Sequence, residues 1–189
     1  MLLDELINRA VRKAMRETRV SMPARIVGYD AATRRARVQI LQPDRTEDGK
    51  EVAQPVITDV PVFMPIGGGA SITTPISSGD TGIVIFADQD IGGWVADGDT
   101  SAPDSGRRHS MSDAMFLPGD GRSAADADNV VISFGGASIT LDPGGGVTIS
   151  APGGLEITSP TLTHNGVNVG DDHVHGGVVA GSVNTQGPQ

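Results

Sequence analysis

The sequence predicts a mainly β chain in three zones: an N-terminal helix, an OB-fold-like barrel, and an array of short strands that intertwines with sister copies. Three observations lead there. Apolar residues keep helical spacing from Leu2 to Met15. Between Val20 and Thr100, short strands are separated by Gly- and Pro-rich turns, and Tyr29, Phe63, Phe86 and Trp94 all fall in that stretch. Beyond Asn129 short strands continue, yet no aromatic residue follows Phe134 and no Lys or Arg follows Arg122.

Composition sets the outer bounds. The 189 residues suffice for one ordinary domain or two small ones. A hydrophobic share of 38% and an aromatic share of 3% leave a core either thin or completed by neighbours. A formal net charge of -9 argues against nucleic acid and anionic membrane surfaces, which need clustered Lys and Arg. The lack of Cys excludes disulfides, thiolate metal sites and a Cys nucleophile. The start, Met1-Leu-Leu-Asp-Glu, lacks the form of a signal peptide, and no stretch approaches the ~20 apolar residues that span a bilayer. Any membrane is therefore expected to be met from outside.

Residues 1–19 read as an amphipathic helix ending before Pro23, with acids early and bases late as the helix dipole favours. Its stripe of Leu3, Leu6, Ile7, Val11 and Met15 packs either on its own domain or on an assembly partner. Residues 20–105 read as the barrel. Arg25–Asp30 and Arg35–Leu41 form a hairpin, and Val56–Met64 and Gly82–Ala87 add further strands. Residues 106–128 are linker-like in composition, with one ordered-looking piece from Arg107 to Gly119.

Residues 129–189 carry strands at Val130–Phe134, Ala137–Leu141, Val147–Ala151, Leu155–Ser159, Thr161–Thr163 and Val167–Val169, closed by Gly, Pro or Asn-Gly turns. A single layer of such strands has no helix or large side chain to cover its apolar face. The units are also too short for the rungs of a monomeric solenoid. Winding several chains about one axis solves this, with Val, Ile and Leu inward and Thr and Ser towards water.

Near the C-terminus stands Gly170-Asp-Asp-His173-Val-His175-Gly-Gly. Strand residues two apart share a face, so His173 and His175 point together. Two imidazoles from one chain make a poor metal site, but a three-fold axis turns them into six. That number suits an octahedral first-row metal such as iron better than tetrahedral zinc. Asp171 has the same parity and would set a ring of carboxylates on the axis, where a hard cation such as calcium relieves their repulsion. A bare His-x-His pair on a strand can equally be solvent-exposed and metal-free. The flanking glycines and the position at the end of an aromatic-free array favour ligation.

Arg25–Leu41, Ile76–Ala87, the Arg107-Arg-His-Ser-Met-Ser-Asp-Ala stretch with its Phe-Leu-Pro-Gly, and the His-Val-His-Gly-Gly-Val end together resemble the baseplate assembly protein V family. These are central spikes of P2-like and Mu-like contractile phages, and the sequence is similar to the Mu-like members. The resemblance covers nearly the whole chain. It implies an OB-fold followed by an intertwined triple-stranded β-helix forming a homotrimeric spike. It also implies an iron ion held at the tip by His173 and His175 of three chains, and a calcium ion nearby, for which Asp171 is the candidate. The implied setting is the virion, at the tail baseplate tip after assembly in the host cytoplasm. There the N-terminal domain would bind the tail hub and the tip would pierce the host outer membrane. A trimeric tail-fibre-like adhesin is the alternative, but strands running straight into a metal-ligand motif favour a closed point.

Other chemistry is set aside. His109, Ser110 and Asp113 supply the residue types of a hydrolase triad, but adjacent His and Ser rarely align and no Gly-x-Ser-x-Gly elbow is present. No Asp, Glu or His follows His175, and six imidazoles leave no open coordination position, so no enzyme is expected. Gly67–Ser71 and Gly144–Thr148 lack the Lys of a phosphate loop and read as turns. Asp88, Asp90, Asp97 and Asp99 lack EF-hand spacing and read as solvated loop acids, with a calcium loop as the alternative. Trp94 reads as core packing, with sugar binding left open.

Overall fold

The computed structural model describes residues 3–46, 48–170, 177 and 181. The chain divides into two compact units, Met1–Ser123 and Ala124–Gln189.

The first unit opens with helix α1, Leu3–Glu17, which carries Asp4 and Glu5 in its first turn and Arg16 in its last. None of its residues is buried, so its apolar stripe is open. Strands β1 (Ser21–Asp30) and β2 (Arg35–Ile40) follow as an antiparallel hairpin. Asp30 closes their turn by accepting the Ala32 N–H at 2.9 Å and the Thr33 hydroxyl at 2.8 Å. A small hairpin, β3 (Asp44–Arg45) and β4 (Glu51–Val52), leads to β5 (Val56–Pro61), which pairs with β2. A second small hairpin, β6 (Ile66–Gly67) and β7 (Ala70–Ser71), precedes β8 (Thr81–Phe86), which pairs with β1. After the short helix α2 (Gly92–Asp97) and a 3₁₀ turn at Met111–Asp113, strand β9 (Ala114–Pro118) pairs with β8.

The sheet order is therefore β5-β2-β1-β8-β9. The sheet curls until its outer strands meet. Val62, just past β5, bridges Phe116 of β9 in parallel, and the Phe63 N–H donates to the Phe116 carbonyl at 2.9 Å. Five strands in this order, partly closed, match the barrel expected from the sequence. Inward residues alternate along each strand, as in Thr81–Phe86, where Gly82, Val84 and Phe86 are buried. The core gathers Ala24, Ile26, Val38, Val60, Val84 and Phe116 among others. Gly82 is glycine for a packing reason: a Cβ there would lie 2.5 Å from Cζ of the Phe116 ring. Residues 106–128, linker-like in composition, thus include the 3₁₀ turn and the strand that supplies Phe116 to the core.

The second unit holds a three-stranded antiparallel meander of β10 (Val130–Phe134), β11 (Ala137–Leu141) and β12 (Val147–Ser150). A hairpin of β13 (Thr163–His164) and β14 (Val167–Asn168) follows. Its turn is Asn165-Gly166 with φ of 49° and 81°, the left-handed pair that a two-residue hairpin requires. Leu155–Ser159, expected as a strand, forms none, and no other segment among the described residues pairs with it.

Candidate functional site

Residues paired across antiparallel strands point to the same face of a sheet, so the register of the meander sorts its side chains. Ile132, Ile139 and Ile149 form one cross-strand row, and Val130, Leu141 and Val147 form the next. Phe134 pairs with Ala137 on that same face. The opposite face carries Ser133, Ser138, Thr140, Thr148 and Ser150, with Val131 the one apolar member. One side is thus wholly apolar and the other almost wholly hydroxyl-bearing. Among the described residues nothing covers the apolar side: Phe134 is 75% exposed, Ile132 62% and Ile149 53%. Among the described residues of this unit none is buried. A contiguous apolar sheet face of this kind marks an interaction surface.

Asp171, His173 and His175, the residues expected to hold calcium and iron, lie outside the described residues. Among the described residues, no three His, Asp or Glu side chains converge to hold a metal ion.

The Arg107–Asp113 stretch forms a clamp at the junction of β8, α2 and β9. Arg107 reaches back to two buried carboxylates, Asp90 at 2.7 Å through Nη2 and Asp113 at 3.0 Å through Nε. Asp113 also accepts the Ile91 N–H at 3.2 Å. Asp90 accepts the Ser105 hydroxyl at 2.6 Å and the Gly92 N–H at 2.9 Å. The Ser105 hydroxyl, then the Gly92 amide and the Arg107 guanidinium, hold the Asp90 carboxyl below the usual carboxylate range. Asp88 pairs with Arg108 at 2.7 Å and lies 3.3 Å from His109 Nε2. His109, Ser110 and Asp113 are therefore not brought together: His109 faces Asp88, and the Ser110 hydroxyl accepts the Ser112 N–H at 3.2 Å. The carboxylates at 88, 90, 97 and 99 split likewise. Only Asp90 is buried, and it is paired.

A family model, the phage protein Gp138 N-terminal domain, matches residues 22–119, more than half of the chain. The chain belongs to that family. The Gp138 N-terminal domain begins at the second residue of β1 and ends one residue past β9, so it coincides with the barrel. Membership makes this a phage protein and points to a structural, virion-associated role. No curated protein matches the chain.

The Gp138 N-terminal domain contains three of the segments singled out in the sequence, Arg25–Leu41, Ile76–Ala87 and Arg107–Gly119. What the sequence did not disclose was their joint role. The Arg107 clamp joins residues 90, 105, 107 and 113 across a connection with no regular hydrophobic period. The only linear signal was an Arg flanked by Asp at irregular spacing. Trp94, read as core, is instead 42% exposed and stacks on Phe63 with ring centroids 6.0 Å apart.

Proposed function

We propose that this Gp138-family protein is the central spike of a contractile phage tail, of the baseplate assembly protein V type and close to its Mu-like members. The observation that carries the reading is the uncovered, one-sided apolar meander of Val130–Ser150. Three such faces wound about one axis bury one another and leave the Ser and Thr side to water. The result is a stiff homotrimeric rod of triple-stranded β-helix with few free strand edges.

The barrel would seat on the tail hub, and the rod would project along the tail axis and pierce the host outer membrane when the sheath contracts. The sheath supplies the energy, and the tip supplies only stiffness and shape. His173 and His175 of three chains would hold an axial iron, and Asp171 a calcium ion. Such ions stabilise the folded trimer by binding it alone. No catalytic step is assigned to the chain.

Antibodies raised against residues 124–189 should decorate purified virions at the distal, axial end of the tail. Label on lateral fibres would favour the adhesin reading, and label on the head would remove both.

A further inference from the structure

We propose that the barrel carries an oligosaccharide-binding cleft, built between the Phe63–Trp94 ledge and the arginines at the start of β2. The inference stands apart from the spike reading, because it concerns only the first unit.

Barrels of this topology take oligonucleotides or oligosaccharides on the face of their second and third strands, between the loop after the first strand and the loop before the last. Here those strands are β2 and β5, and the loops are residues 31–34 and 87–113. A cleft of about 350 Å³ lies at that place, lined by Arg34, Arg35, Phe63, Met64 and Trp94 among others. A groove sharing Thr33 and Arg35 adjoins it, lined also by Tyr29, Asp30, Arg37 and Asp59.

Three features distinguish this cleft from ordinary surface. The barrel has few aromatic residues, and while Phe86 and Phe116 are buried in the core, Phe63 and Trp94 remain 41% and 42% exposed. Their rings stack 17° from parallel. Stacked rings leave only an outer face open, and one such face suits the C–H face of a pyranose ring. Second, the register between β2 and β5 slips between Ala36 and Val38, and Asp59 sits in that bulge at φ 59°. Such bulges re-aim a side chain, and here it is a carboxylate on the groove wall. Third, Arg35 ties both walls together by donating to the Asp59 and Val95 carbonyls, each at 3.4 Å.

The lining chemistry selects the ligand class. Arg34, Arg35 and Arg37 line the cleft and its groove together with Asp30 and Asp59, so the lining offers both donors and acceptors. Vicinal sugar hydroxyls use one donor and one acceptor at a time, which such a lining provides. A phosphate backbone would meet the two carboxylates, and the net charge of -9 opposes it further.

The chain has a single tryptophan, so its emission reports on this cleft alone. The full-length protein would be titrated with chitotetraose, with a galacturonate tetramer, and with a single-stranded oligothymidylate. A saturable change in Trp94 emission with at least one saccharide is expected, and binding about tenfold weaker in Phe63→Ala and in Arg34→Ala. Arg34 is exposed, so its variant should keep the parent circular dichroism and unfolding midpoint even if Phe63→Ala does not fold. No saturable response to either saccharide would overturn the proposal. So would a response to oligothymidylate alone, or undiminished affinity in a folded Arg34→Ala.

Discussion

Arg107 is 44% exposed at its side chain, yet both carboxylates it holds are buried, Asp90 at 2% and Asp113 at 1%. Removing the guanidinium leaves two desolvated acids without their cation, which costs more than an exposed ion pair is ever worth. Arg107→Ala should therefore lower the unfolding midpoint of the barrel by several degrees, while Arg108→Ala, whose partner Asp88 is exposed, should leave it nearly unchanged. Differential scanning calorimetry would separate the two. Acid acts on the same site. The folded Asp90 carboxyl titrates below its ordinary value, held there first by the Ser105 hydroxyl. Its stabilising contribution is thus complete above about pH 4 and is lost as pH falls further, through the folded value. A pH series of urea melts should show barrel stability level down to about pH 4 in this respect and declining below it, with the acid-side decline reduced in Ser105→Ala. Phe116, fully buried beneath Gly82, sets the scale for the core. Phe116→Ala should cost about 3–5 kcal/mol in the same melts. At this scale the sequence was only partly legible. Phe86 reads as a barrel residue from the alternation of its strand, and it is buried there. Trp94 reads as core because an indole is usually covered, and nothing in its glycine-rich surroundings reveals that it stacks on Phe63 and stays half open.

Strands β10 to β12 put every member of two cross-strand rows, Ile132–Ile139–Ile149 and Val130–Leu141–Val147, on the same side. Covering one such side chain is worth about 1.5–3 kcal/mol, so a face of this size left to water is a large driving force for association. Ile139→Asp should abolish that association, because it places a charge in the middle of the face. Thr148→Asp, on the hydroxyl side, should leave it intact. Sedimentation velocity on the two variants would distinguish them. The hairpins here were readable because their turns are chemically explicit. Gly135-Gly136 and Asn165-Gly166 supply the positive φ that two-residue turns demand. Leu155–Ser159 shows the converse. Its alternation reads as a strand, but a strand needs a partner, and a periodicity rule cannot supply one. The β9 strand was hidden for a different reason. It follows a long polar connection and is bounded by Pro118, so composition alone assigned its surroundings to a linker, although Arg107–Gly119 stood out as ordered.

Across the whole molecule, a Gp138 N-terminal domain with its own core is joined to a strand-rich unit that has no buried residue among those described. The first can fold from its own residues; the second has the apolar pattern of a core but not its geometry. That asymmetry is what the spike proposal explains, since a rod shared by three chains needs no core within any one of them. If His173 and His175 close the rod on an axial metal, the ligands must be neutral imidazoles. Iron content after dialysis should then be about one ion per three chains at neutral pH and fall on acidification, as protons compete for the imidazoles. A His173→Ala, His175→Ala double variant should bind no iron. The most direct test of the shared-core claim is the mass of the full-length protein by multi-angle light scattering at micromolar concentration. The account predicts three times the mass of one chain. A particle with the mass of a single chain would contradict it.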